Sequence, residues 1–205
     1  MNDTIVQPAN QKRRINTLRA VMLVMIPLIL FTRPGLSLNG ALMEAIESVG
    51  ILLVIGGVLG RFWSILYIGS RKNALIMQDG PYSICRHPLY LFSTLSAFGF
   101  GLMLGSLLLT TTMTLLVFYI LNDIAGKEEQ FLRSEFGPSY AAYAATTPRI
   151  IPKLSLFSSP ATVSFDTGTL RRNFFDALVF LSLIPIGEIT EHFKDNGALP
   201  TFPLF

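Results

Sequence analysis

The sequence predicts an all-α fold, a polytopic membrane bundle of about five transmembrane helices, and three observations carry that prediction. Of the 205 residues, 51% are hydrophobic and only 14% are charged, a balance typical of membrane chains rather than water-soluble domains. The apolar residues fall into four nearly charge-free blocks, Leu18 to Phe31, Val49 to Ile68, Leu89 to Leu121 and Phe174 to Ile189. A helical crossing needs roughly 20 such residues, and its backbone amides must be satisfied within the helix. Lys and Arg crowd between the blocks, as they do in short loops on the cytosolic side.

The first block follows Lys12, Arg13, Arg14 and Arg19 and runs into Arg33-Pro34-Gly35. No small-residue cleavage site follows it, so it reads as a first membrane helix and not a signal peptide. The second block carries Gly56 and Gly60, four apart, whose missing side chains let a neighbouring helix approach. It also holds Arg61, a cation inside an apolar run.

At 33 residues the third block is too long for one crossing and short for two. A tight hairpin of two short helices turning near Gly105 and Ser106 fits it, with Ser93, Ser96, Ala97, Gly99 and Gly101 as its small-residue contacts. The last block follows a Ser/Thr-rich connector from Leu154 to Arg172. It leads into a polar cluster of Glu188, Glu191, His192 and Asp195, whose spacing matches no familiar ligand motif, so no metal is expected.

With the N-terminus inside, Arg71, Lys72 and Arg86 fill the second loop, and Lys127, Arg133, Arg149, Lys153, Arg171 and Arg172 precede the last crossing. All then lie in the cytosol. Only Arg33 and Lys194 fall clearly outside, so the net charge of +3 hides a strong asymmetry. That asymmetry reads as topology: an integral membrane protein, of the inner or plasma membrane in a bacterium. A compact basic motif of the nucleic-acid type is missing, and no nucleic-acid partner is expected. The lone Cys85 excludes an internal disulfide. Neither a repeat nor a second domain is visible, giving one domain over 1–205.

Two polar segments interrupt this pattern. In "GPYSICRHPLYLF", residues 80 to 92, a turn signal at Asp79-Gly80-Pro81-Tyr82 leads to Arg86-His87-Pro88. Pro suits the first helical position, so the hairpin helix is expected to start at Pro88 with His87 as its cap and Tyr90 on the same edge. The helix N-terminus, with Arg86 and His87, would then offer donors to an anion. The plainer reading makes Arg86 a positive-inside residue, His87 a cap and Tyr90 an interfacial aromatic.

The second segment, "KEEQFLRSEFGPSYAAYAATTPRIIPK", opens an amphipathic stretch at Glu128 and Glu129 and breaks at Gly137-Pro138. A short helix then puts Tyr140 and Tyr143 on one face. Here the plainer reading has Glu129 pair with Arg133 one turn on and Arg149 snorkel to the surface.

Taken together, Gly80-Pro81-Tyr82, Arg86-His87-Pro88-Leu89-Tyr90, the hydrophobic hairpin, Glu128-Glu129, Phe136-Gly137, Tyr140, Tyr143, Pro148-Arg149 and Pro152 resemble a superfamily. It is that of the isoprenylcysteine carboxyl methyltransferases and phospholipid methyltransferases, integral membrane enzymes. The resemblance covers about residues 61–153, which would form the cofactor-binding core, with 154–205 a C-terminal extension. It implies S-adenosyl-L-methionine as cofactor, with S-adenosyl-L-homocysteine as product, bound at the cytosolic face by His87, Tyr90, Glu128 and Glu129. Arg86 belongs to the same motif. Phe92 stands where many relatives have Gly, and the stretch Asp123 to Lys127 lacks an Arg common in relatives. Both departures bear on the acceptor.

The chemistry agrees with that implication. The donor joins a sulfonium, a carboxylate, an ammonium and a ribose diol. Its pocket should therefore mix carboxylates, cationic donors and aromatic faces such as Tyr82, Tyr90, Tyr140 and Tyr143, whose rings can face the sulfonium. Arg61, Phe92 and Arg149 are the acceptor-side candidates, and for Arg61 snorkelling is the competing role. Expected partners are a lipophilic substrate entering sideways from the bilayer and the membrane lipids, and a homodimer is allowed.

A carboxylate acceptor needs no general base, whereas a primary amine does. With His87 and both glutamates assigned to cofactor, a carboxylate or thiolate acceptor, the isoprenylcysteine-like carboxylate first, is favoured over an aminophospholipid. A non-catalytic transport or assembly protein is the alternative from another class. It is disfavoured by apolar blocks that hold almost no charges along a path. A nicotinamide reductase would want a Gly-rich fingerprint that the chain lacks.

Overall fold

The computed structural model describes residue 20 and residues 23–34, 40–69 and 75–204. The basic N-terminal run from Lys12 to Arg19 and the loop residues Arg71 and Lys72 lie outside the described residues. Among the described residues the chain is all-α apart from two three-residue strands. Helix α1, described over residues 23–31, leads into β1 (Thr32–Pro34). Then come α2 (Gly40–Ile68), α3 (Pro81–Ile84), α4 (Pro88–Met103), α5 (Leu107–Phe136), α6 (Pro138–Thr146), a 3-10 turn (Leu154–Leu156), α7 (Thr167–Asp195) and β2 (Phe202–Leu204). Among the described residues α2, α5 and α7, at 29, 30 and 29 residues, are long and apolar enough to cross a membrane, and α4 is a shorter apolar helix.

The hairpin forms as expected: α4 ends at Met103, Gly105 turns with a positive φ of 67°, and the Ser106 side chain caps α5 by accepting from the Leu109 N–H. Its second arm is not short. Helix α5 runs without a break through Glu128 and Glu129 to Phe136, where Gly137 and Pro138 stop it. The glutamates therefore do not open a new helix; they ride on the end of a span. The run Lys127 to Leu132 is rich in helix formers, and neither Asn122, Asp123 nor Gly126 is enough to break a helix already under way. The last helix is likewise longer than its apolar block, starting inside the expected connector at Thr167, where the Asp166 carboxylate accepts from the Thr169 N–H.

Helices α2 and α4 form an antiparallel pair held at three levels by missing side chains. A Cβ on Gly99 would sit 2.6 Å from the Gly50 carbonyl oxygen, one on Gly57 2.7 Å from the Phe92 oxygen, and one on Gly60 2.2 Å from the Phe92 ring. Gly56, expected to share this role, faces open space instead. Successive residues on a helix point about 100° apart, and of the glycines in the middle of α2 those at 50, 57 and 60 turn toward α4 while that at 56 does not. Val54, Phe100, Met103, Leu109 and Met113 pack with Met25 of α1 in the core at the end of the bundle near the hairpin turn. Helix α7 lies along α2 through Phe174 on Phe62, and Gly187 receives the Met103 side chain. The strands β1 and β2 pair in parallel, Thr32 opposite Phe202, joining the chain after α1 to the chain after α7. Local sequence signals do not announce a three-residue pair of this kind.

Candidate active site

At the opposite end of the bundle, where α2 stops and α4 starts, a cleft with about 630 Å³ of open space, part of it shared with solvent, lies against the helix ends. One wall is polar and aromatic: Tyr82, Arg86, His87, Tyr90, Glu128, Tyr140 and Tyr143. Ile68, Leu75, Ile76, Met77, Leu89 and Leu132 supply the apolar part of the lining.

The polar wall is organised by one buried carboxylate. Glu129, 8% exposed, receives on its Oε1 the Arg86 Nη2 at 3.1 Å, the His87 Nε2 at 3.2 Å and the Arg149 Nε at 3.1 Å. Arg149 also donates from Nη1 to the Asn122 Oδ1 at 3.2 Å, and Arg86 from Nη1 to the Ala144 carbonyl at 2.8 Å. This ties α5, α6 and the segment before α4 to one point. Glu129 therefore does not pair with Arg133, whose guanidinium instead lies 5.8 Å from the centre of the Tyr140 ring. Glu128, one residue earlier and turned away from Glu129, lines the cleft, with Oε2 3.8 Å from the His87 Nδ1. Of the two glutamates, Glu128 is the one in the lining of the cleft.

His87 is the residue before α4, as expected, but its imidazole does not cap the helix. It stacks on Tyr90, ring centres 5.3 Å apart and planes 3° apart, with a carboxylate near each nitrogen. The helix N-terminus is less available to an anion than the sequence suggests. The His87 N–H goes to the Arg149 carbonyl, those of Tyr90 and Leu91 go to the His87 carbonyl, and Pro88 has none. The Arg86 N–H is likewise taken by the Pro148 carbonyl.

What remains for a ligand is specific. The hydroxyls of Tyr82 and Tyr140 and the Nε of Arg86 are buried without a partner, and all three residues line the cleft. Buried donors of that kind are normally paired. A ligand with carboxylate and hydroxyl oxygens would satisfy them, Glu128 would take an ammonium, and the rings supply cation-facing surfaces. The residues present therefore fit S-adenosylmethionine. Tyr143 has a different use, donating from its hydroxyl to the Tyr82 carbonyl at 2.6 Å. Burial pushes the Tyr140 phenol and the Cys85 thiol each up to about 12, and raises Tyr82 and Tyr143 well above their usual range, so all four stay protonated at neutral pH.

The acceptor-side residues are not all together. Arg149 joins the Glu129 network. Arg61 and Phe92 lie deeper along α2 and α4, outside the lining of the cleft: Arg61 donates to the Ser93 hydroxyl and covers the Phe180 ring at 5.1 Å, while Phe92 fills the notch at Gly60 beside Trp63. Sequence reasoning missed Asn122 and Gly126. Gly126 gives Arg149 room, since a Cβ there would lie 3.1 Å from its Nη2. Seven residues separate Asn122 from Glu129, two helical turns on one face, and an amide and a glycine inside an apolar helix were the available signal.

A bundle of apolar helices, three of them long enough to cross a membrane among the described residues, defines an integral membrane protein with a polar, aromatic cleft across its helix ends. The phospholipid methyltransferase family matches residues 46–139. The cobalt-zinc-cadmium resistance protein CzcN of Cupriavidus metallidurans is 38% identical over 152 residues, 74% of this chain and 70% of that protein. The nickel-cobalt-cadmium resistance protein NccN of Alcaligenes xylosoxydans xylosoxydans is 36% identical over 160 residues, 78% and 75%. A protein-S-isoprenylcysteine O-methyltransferase of Schizosaccharomyces pombe is 33% identical over 81 residues, 40% of this chain and 34% of that enzyme. No solved structure matches. The chain belongs to the phospholipid methyltransferase family and is a distant homologue of the isoprenylcysteine methyltransferase.

Proposed function

We propose that the protein is an S-adenosylmethionine-dependent methyltransferase working at the cytosolic membrane interface on a lipophilic acceptor, a carboxylate of isoprenylcysteine type in preference to an aminophospholipid. The observation that carries the reading is the cleft itself, whose lining combines the residues of unpartnered buried donors, Tyr82, Tyr140 and Arg86, with apolar side chains. When bound, the cofactor supplies a methyl group on a sulfonium, so the protein's task is positioning rather than activation. Arg86 and the two phenols hold carboxylate and hydroxyl oxygens, Glu128 holds the ammonium, and Tyr90 is a ring for the cationic sulfur. Glu129 positions Arg86 and His87.

The acceptor preference rests on His87. Both its ring nitrogens face glutamates, which leaves it badly placed to take a proton from an amine, and a carboxylate acceptor asks for none. Ile68, Leu89 and Leu132 offer apolar contact to the acceptor's tail, which would enter from the bilayer. The metal-resistance setting in the names of CzcN and NccN is compatible with this chemistry if the product is a modified membrane component.

Purified protein incubated with methyl-labelled donor and separate pools of prenylcysteine analogues, aminophospholipids and small hydrophobic acids or thiols tests the proposal. Label in the carboxylate pool is expected. Label only in aminophospholipid would overturn the acceptor, and a folded sample that binds no S-adenosylhomocysteine would overturn the activity.

A further inference from the structure

Between α6 and α7 the chain holds four large apolar side chains out from the protein: Ile151, Leu154, Phe157 and Phe165, at 78, 72, 54 and 49% exposure. The chain that carries Ile151, Leu154 and Phe157 is held in place. The Lys153 N–H donates to the Ile84 carbonyl at 2.9 Å, the Gly80 N–H to the Ser158 carbonyl at 2.7 Å and the Ser158 N–H to the Ser83 hydroxyl at 3.0 Å, while the Tyr67 and Ser159 hydroxyls meet at 2.8 Å. A strap pinned at these points cannot roll its apolar residues inward.

Its level relative to the apolar helices is also fixed. Phe157 packs on Trp63 with ring centres 5.9 Å apart, and Trp63 lies five residues before the end of α2 at Ile68, about 7.5 Å down the helix at 1.5 Å per residue. The strap thus dips below the end of a span instead of rising away from it. Lys153, Arg171 and Arg172 are exposed beside it and outnumber the exposed acids Asp166 and Asp176. Apolar side chains with flanking cations, at the depth of an aromatic on a membrane span, match the boundary between headgroups and acyl chains.

We propose that residues 151–165 are an interfacial anchor seated in the anionic lipid leaflet at the site end of the bundle. The anchor is continuous with the cleft wall: Pro148 and Arg149, just before it, accept the Arg86 and His87 N–H groups. Seating the strap in lipid therefore fixes the backbone that carries the polar wall. The inference concerns the membrane alone and stands or falls apart from methyl transfer.

Nitroxide labels on Ile151→Cys and Leu154→Cys, in the full chain reconstituted in phosphatidylcholine with and without phosphatidylglycerol, test it, the fully buried Cys85 staying unlabelled. Labels at Leu115→Cys, on the span surface, and Ser139→Cys, on α6, bracket the scale. At Ile151 and Leu154 the expected result is relaxation by oxygen severalfold stronger relative to a water-soluble nickel chelate than at Ser139, with the contrast growing when phosphatidylglycerol is present. Chelate accessibility equal to that at Ser139 would overturn the anchor. Protection from both oxygen and chelate would overturn it in favour of a protein cover, such as a second copy. Equal depth in both vesicles would overturn the role given to the basic residues.

Discussion

At the scale of single residues, two neighbouring glutamates have opposite uses. Glu129 is buried against Arg86, His87 and Arg149, so Glu129→Ala strands buried donors. It should lower unfolding free energy by about 3 kcal/mol, the low end for a broken buried pair because Arg149 is a third exposed. Glu128→Ala should change stability by less than about 1 kcal/mol yet weaken S-adenosylhomocysteine binding at least tenfold. Thermal unfolding and calorimetry on the same detergent samples separate the two, and equal effects would contradict the division. That division was not legible in the sequence, since which of two adjacent residues meets Arg86 and Arg149 depends on how α5 is rotated. The residue types were legible, because a donor of mixed charge requires them. The tyrosines give a second expectation. Burial raises the phenols of Tyr82, Tyr140 and Tyr143 above their unfolded value near 10, so the folded state keeps protons that the unfolded chain releases. Their contribution is present in full below about pH 10 and is eroded as pH rises, that of Tyr140 being lost through about 12 and those of Tyr82 and Tyr143 higher still. Melting temperature followed upward from about pH 9 should fall, and less steeply in Tyr143→Phe, which also forfeits about 1 kcal/mol from its hydrogen bond to Tyr82. A pH-independent melting temperature in this range would count against buried phenols.

Among the elements, the α2 and α4 pair decides where the cleft lies, and its glycines make a graded test. Gly99→Ala would drive a Cβ to 2.6 Å from the Gly50 carbonyl and 2.8 Å from the Val54 nitrogen, both backbone atoms that cannot swing aside. The expected loss is about 1–3 kcal/mol. Gly56→Ala meets nothing within 4 Å and should be neutral or stabilising by up to about 1 kcal/mol. Chemical unfolding of the two variants checks the order; a reversed order would mean that the seam is elsewhere. Periodicity found the hairpin, its turn at Gly105 and the start of α4 at Pro88, because each is signalled within a few residues. It missed the true length of α5, since charged residues such as Lys127 and Glu128 end an apolar block without ending a helix.

Over the whole molecule, the charge asymmetry of the loops predicts that the cleft opens to the cytosol. In cells, a cysteine at Ser139 should resist a membrane-impermeant maleimide until the membrane is opened; labelling of intact cells would invert the topology. Class and membrane character were legible from composition, whereas the links between distant segments were not. Gly80 to Ser158 and Thr32 to Phe202 join residues with no local pattern in common. The short parallel pair between β1 and β2 has a consequence in time. Helices α1 to α5 emerge from the ribosome and can enter the bilayer one after another, but the clasp after α1 has no partner until residues 202–204 have been made. Closure of this long loop is therefore a post-insertion event, and the arrangement reached during synthesis is an open form of the final protein.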